Sequence, residues 1–136
     1  MSYSSNQRRQ VIIVSDEDGF THLLRTLLED LNLTVCCSTM SSHAVQEVEH
    51  TLPDLVILDL IPGYETTCWL VLEALKARPS TQRIPILLCP AAPWLAETHA
   101  HRLAMHGVQT WTNAFDLHDL LTRVQSAVDH ASESVA

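Results

Sequence analysis

The stretch Pro53-Asp54-Leu55-Val56-Ile57-Leu58-Asp59-Leu60-Ile61-Pro62-Gly63 leaves little freedom in how this chain folds. Leu55 to Leu58 is a continuous apolar run, which suits a strand buried on both faces. Asp59 stands directly at its end, and Pro62-Gly63 then forces a turn. An acid at the carboxyl end of a buried strand is where open α/β sheets place their chemistry.

The flanking sequence supplies the partners such a strand needs. Val11-Ile12-Ile13-Val14 is a β-branched run and predicts a first buried strand. Phe20, Leu23, Leu24, Leu27, Leu28 and Leu31 follow at helical spacing, with Asp18 placed to cap the helix. Thr34 to Ser38 predicts a short second strand. Ser42 is placed to cap a second helix, which ends before Pro53. Thr66 to Ala77 predicts a third helix with Trp69, Leu70, Leu72 and Leu75 on its apolar face. Ile84 to Cys89 predicts a fourth strand, stopped by Pro90 and with Pro85 at its very beginning. A weakly periodic fourth helix spans about Trp94 to Met105 and ends at Gly107, and Val108 to Thr112 predicts strand five. Leu117, Leu120, Leu121, Val124 and Val128 mark a fifth helix capped by Asp116.

Strand and helix thus alternate five times. That order predicts a parallel sheet covered on both faces, a three-layer α/β/α domain with right-handed crossovers. Residues 1–10 are expected to be a flexible N-terminus, 11–131 the domain, and 132–136 a flexible tail. Strand one leads into Asp16 and strand three ends at Asp59, so both carboxylates are expected at one sheet edge. Two carboxylates there are a site for a hard cation such as Mg2+.

The chain has 136 residues and a formal net charge of −8, with 8 Lys plus Arg against 16 Asp plus Glu. That balance argues against a nucleic-acid face, which needs a clustered basic patch. No apolar run approaches membrane-spanning length and residues 1–10 do not form a signal peptide, so a cytoplasmic location with no membrane partner is expected. Cys36, Cys37, Cys68 and Cys89 contain no C-x-x-C pair and are expected as buried free thiols. Lys76 is the one lysine. His99, His101 and His106 are expected on a solvated face, and Trp69, Trp94 and Trp111 in or near the core. An exposed Trp94 or Trp111 would mark a partner surface.

From Val11 to Val128 the chain resembles a response-regulator receiver domain, the flavodoxin-like module of two-component signalling. The residues that carry the resemblance are Val11 to Glu17, Pro53 to Leu60, Ile84 to Leu88, and Phe115-Asp116-Leu117. It implies a doubly wound five-stranded sheet in the order 2-1-3-4-5 with five helices. It also implies Asp59 as phosphoacceptor, with Mg2+ on Asp16, Asp59 and the Ile61 backbone carbonyl, and on Ser15 through a water. The chemistry implied is at most autocatalytic phosphoryl transfer to Asp59 from a histidine kinase or phosphotransfer protein. Output would run through protein contacts on the helix-four to helix-five face, with a homodimer as one form. Asp16-Glu17-Asp18-Gly19 also resembles the opening of haloacid-dehalogenase-type phosphatases, but Cys89-Pro90-Ala91-Ala92 lacks the acids that family needs after strand four.

The departures from the receiver pattern concentrate on one function. Ser15 replaces the first of two acids. Cys89, a weak donor, stands where a Thr or Ser is usual. The Lys-Pro-Phe motif reads Asn113-Ala114-Phe115, so the lysine that would touch the phosphoryl group is absent. The aromatic switch position falls on Trp111 or Thr110. The sequence thus implies an atypical receiver, with two functional readings: a stand-alone phosphoacceptor, or a degenerate pseudo-receiver that binds partners regardless of phosphate.

Overall fold

The computed structural model describes residues 9–92, 94–97, 99–111 and 117–135. The elements are β1 (Gln10–Val14), α1 (Asp18–Asp30), β2 (Thr34–Ser38), α2 (His43–Thr51), β3 (Leu55–Leu60), α3 (Glu65–Ala77), β4 (Ile86–Pro90), α4 (Trp94–Glu97), α5 (Ala100–Met105), β5 (Gln109–Thr110) and α6 (Leu117–Val135). The strands form one sheet in the order β2-β1-β3-β4-β5, parallel throughout. The expected doubly wound, three-layer α/β/α architecture is what the chain adopts.

Alternation along β3 divides the core in two. Val56, Leu58 and Leu60 pack with Val45, Val48, Leu72, Leu75 and Leu103 of α2, α3 and α5. Leu55 and Ile57 pack on the other face with Leu24, Leu28, Leu120, Val124 and Val128 of α1 and α6. Every residue of β3 is buried, which is why this strand reads as an unbroken apolar run rather than an alternating one. In the register, Val14 lies beside Leu58, and Asp59 beside Cys89.

Several expectations are corrected. Glu17, not Asp18, caps α1: its carboxylate accepts the backbone N–H of Gly19 and of Phe20, because a side chain one position earlier reaches those orphan donors. Ser42 sits at the N-cap of α2, but with helical backbone angles its hydroxyl makes no capping bond. Strand four begins at Ile86, since Pro85 offers only its carbonyl, which accepts from Val56 N at 3.0 Å. It runs on through Pro90, whose missing donor faces the β5 side, past the point where Trp111 N donates to Leu88 O and that ladder ends.

The expected single fourth helix is two short ones, because His99 leaves the helical region with φ −116° and caps α5. His99 is also not on a solvated face; it packs edge-on against Trp69 with ring centroids 4.5 Å apart. β5 is only Gln109–Thr110. Thr112, Asn113 and Asp116 lie outside the described residues. α6 continues to Val135, past the expected domain end at 131.

Leu23, Leu31 and Leu70 lie on exposed flanks of their helices rather than in the core. Cys68 and Cys89 are buried as expected, but Cys36 and Cys37 are exposed because β2 is an edge strand. Trp69 and Trp111 are buried, and Trp94 is 56% exposed.

Candidate functional site

The parallel register places Ser15, the residue after β1, next to Asp59 near the end of β3. The Ser15 backbone is fixed by its N–H to Ser38 O at 2.9 Å. Its Oγ accepts the Glu17 N–H at 2.9 Å and donates to Asp59 Oδ2 at 2.7 Å. A weaker alternative acceptor, Glu17 O, lies at 3.5 Å. The accepted N–H turns the hydroxyl proton toward the carboxylate.

Asp59 is only 6% exposed. Burial raises its pKa above the usual carboxylate value. The Ser15 hydrogen bond opposes that rise, and the charge of Glu17 adds to it. Two thiols share this environment. Burial and then the Asp59 charge push Cys68 up to about 12, and the same two causes push Cys89 up further still. Both are therefore neutral packing groups rather than reactive thiolates.

Asp16 lies at the same sheet edge, as expected, but its carboxylate is engaged elsewhere. Asp16 Oδ1 accepts the Met40 N–H at 3.1 Å. The same carboxylate, through hydrogen-bonding and charge, raises the Tyr64 hydroxyl above its ordinary value. Asp16 thus ties the loop after β2 to the loop after β3. The Ile61 carbonyl accepts Tyr64 N at 3.1 Å, closing the Pro62-Gly63 turn, with Gly63 at φ 94°.

Two carboxylates and a carbonyl are the right kind of donors for Mg2+. In this structure Asp59 Oδ2 accepts from Ser15, Asp16 Oδ1 from Met40 N, and the Ile61 carbonyl from Tyr64 N. Among the described residues no group of three or more His, Cys, Asp or Glu is placed to hold a metal ion. Asp16, Asp59 and the Ile61 carbonyl, at one sheet edge, are the groups that would hold the ion.

No described cation reaches Asp59 either. Lys76 Nζ donates to Gln82 O. Arg25 pairs with Glu29, Arg78 with Glu49, Arg102 with Glu73 and Arg123 with Asp119. Arg9 donates to Val128 O, and Arg83 sits in the loop before β4, at the opposite sheet edge. Asn113, the expected stand-in for the lysine, lies outside the described residues. Sequence reasoning named Ser15, Cys89, Asp16 and Asp59 but missed the Ser15–Asp59 bond and the Tyr64–Asp16 contact. Extending the parallel register by one residue would have found the first; the second depends on loop geometry that no local pattern encodes.

A second feature lies around α4 and α5. A groove of about 410 Å3 is lined by Ala96, Glu97, Ala100, Leu103, Val108 and Thr110 among others. Trp94 and Met105, the latter 73% exposed, are the large apolar side chains left uncovered on these two helices.

No family model matches the chain. The chain is 29% identical over 129 residues to the phosphate regulon transcriptional regulatory protein PhoB of Rhizobium meliloti (strain 1021), covering 93% of this chain and 55% of that protein. It therefore spans about half the length of that relative. Among solved structures it resembles the chemotaxis protein CheY4 of Vibrio cholerae, with a TM-score of 0.74, 18% identity, and coverage of 89% of this chain and 99% of that one. The signal receiver domain of a LuxO repressor protein from Vibrio parahaemolyticus gives a TM-score of 0.74 at 20% identity, covering 94% and 95%. The receiver domain of a sensor histidine kinase from Pseudomonas aeruginosa PAO1, solved with magnesium in its active-site cleft, gives 0.72 at 16%, covering 90% and 99%. At these identities the structural likeness is one of fold.

Proposed function

We propose that this chain, which has the fold of a response-regulator receiver domain, works in two-component signalling as a pseudo-receiver. It binds its partners through protein contacts without a phosphoryl group on Asp59. The observation that carries this reading is the Ser15–Asp59 bond in a pocket that no described cation enters. A phosphoryl group brings about −1.5 to −2 charges. On Asp59, whose Oδ2 already accepts from Ser15, it would meet the charge of Glu17 and two neutral thiols. A lysine ammonium would supply a charge-assisted contact of about 1.5–3 kcal/mol, and the sequence has none to place there.

The contact surface in this reading lies on α4 and α5, the two pieces of the expected helix four, within the expected face that runs on to α6. Trp94 and Met105 are exposed on the two helices that line the groove, and an exposed tryptophan is the kind of anchor that dominates protein interfaces. The kinase or phosphotransfer protein and the downstream effector are its candidate partners, and the cytoplasm its location. Among the described residues no helix is long and apolar enough to cross a membrane.

A second reading keeps Asp59 as phosphoacceptor with Mg2+ on Asp16, Asp59 and the Ile61 carbonyl. It is favoured by the position of all three at one sheet edge and by the magnesium-bearing receiver of like fold. Intact-mass analysis after incubation with acetyl phosphate and Mg2+ separates the two. The pseudo-receiver reading expects no adduct under conditions that label an ordinary receiver. A phosphoryl adduct lost in Asp59→Asn overturns it in favour of the second.

A further inference from the structure

We propose that the free edge of β2 is a self-association surface, on which two copies pair antiparallel about a two-fold axis at Cys36 and are locked by a Cys36–Cys36 disulfide under peroxide.

The backbone pattern decides the geometry. Thr34 N donates to Arg9 O, and Ser38 O accepts from Ser15 N, so Thr34, Cys36 and Ser38 turn their backbone groups toward β1. Val35 and Cys37 therefore turn theirs outward, since direction alternates along a strand. An antiparallel partner centred on Cys36 brings Val35 opposite Cys37 of the second copy, and Cys37 opposite its Val35. Each of these pairs exchanges two N–H···O bonds. Cys36 then faces its own counterpart at the intervening position without ladder bonds. Directly opposed residues of an antiparallel pair stand about 4.5–5.5 Å apart between Cα atoms, within the range a disulfide spans.

Side-chain chemistry favours the same occupant. Edge strands are usually protected by charges, prolines or bulges. Thr34-Val35-Cys36-Cys37-Ser38 carries no charge and no proline, and it pairs with β1 through all five residues without a bulge. Both thiols are exposed. Cys37 is a poor competitor for the oxidant: its partial burial raises its pKa despite the Arg25 guanidinium beside it. Adjacent residues of a strand point to opposite faces, so Cys36 and Cys37 of one copy do not meet each other.

The chemistry balances with hydrogen peroxide as oxidant. The Cys36 thiolate attacks one peroxide oxygen, the O–O bond breaks, and a sulfenic acid and water form. The second copy's Cys36 thiolate attacks that sulfur, forming the S–S bond and releasing a second water. Two thiols and one peroxide give one disulfide and two waters.

The test treats the reduced full chain with hydrogen peroxide and reads non-reducing electrophoresis, peptide mapping and amide hydrogen exchange. The expected result is a dimer of twice the chain mass, reversed by dithiothreitol and linked Cys36 to Cys36. Slowed exchange at Val35 and Cys37 is expected in the dimer. Cys36→Ser abolishes the link and Cys37→Ser keeps it. Cys37→Pro, which removes an outward donor that β1 does not use, slows linkage at least tenfold. A link through Cys37, or a Cys36 link with unchanged exchange at Val35 and Cys37, overturns the proposal. So does the absence of any dimer.

Discussion

The Ser15 hydroxyl and the Asp59 carboxylate form one buried unit, 2.7 Å from Oγ to Oδ2, in which the backbone of Glu17 sets the direction of the proton. Ser15→Ala leaves the carboxylate without this donor. Stability at pH 7 should fall by about 1–3 kcal/mol, the cost of an unsatisfied buried polar group. Asp59 should also titrate at higher pH, because the lost bond favours the charged form. Urea unfolding and a carboxyl-carbon NMR titration measure the two effects separately.

The raised pKa of Asp59 makes stability depend on pH in a definite direction. Between the unfolded and folded pKa values the folded chain holds the proton and the unfolded chain has released it. Stability attributable to this group therefore declines as pH rises through that window, and is level above it. Asp59→Asn, which cannot ionise, should be more stable than wild type at pH 7. The gap should close on acidification toward the ordinary carboxylate value. Equal urea midpoints at pH 7 would show that burial does not penalise Asp59.

Leu52 ends α2 with φ 49° and ψ 62°, a left-handed conformation, and its side chain is 54% exposed. A leucine there is strained by about 1–2 kcal/mol. Leu52→Asn should stabilise the fold by roughly 0.5–1 kcal/mol, since asparagine tolerates this region and little apolar burial is lost. Leu52→Ile should destabilise, because a β-branched side chain crowds the backbone further. Thermal unfolding of both variants reads the sign directly.

Arg102 of α5 holds Glu73 of α3 and lies over the Trp69 ring, 5.1 Å from its centroid. His99 closes the other contact with that ring. Arg102→Ala should cost about 0.5–1 kcal/mol, since Arg102 and Glu73 are both partly exposed. A double-mutant cycle with Glu73→Ala should assign part of this to the ion pair and leave the remainder with the ring. Tryptophan emission should shift as the indole loses its cation.

The sheet and its order were legible because β3 and β1 are unbroken apolar runs, and because strand–helix alternation admits few topologies. Asp59, Ser15 and Cys89 were legible as a cluster for the same reason: each ends a strand, and parallel strands share an edge. The direction of Asp16 was not, because its partners Met40 and Tyr64 come from two loops whose approach only tertiary packing sets. The division of the fourth helix was not legible either. Trp94 to Met105 lacks a strong apolar period, and the break at His99 is tied to its packing on Trp69, a contact distant in sequence. Glu17 as cap escaped notice because the expected cap, Asp18, is one position away and equally acidic.

The burial of all six residues of β3 gives Asp59 a role in folding fidelity. A slip of one residue would send Leu58 and Leu60 to the α1 and α6 side and carry the acid into the hydrocarbon layer beneath α3. No hydroxyl would meet it there, and its charge would be stranded. The native pairing is the one in which Ser15 waits opposite Asp59. A single polar couple can thus discriminate against misregistered collapse, and chains lacking it should populate slipped intermediates and refold with additional slow phases.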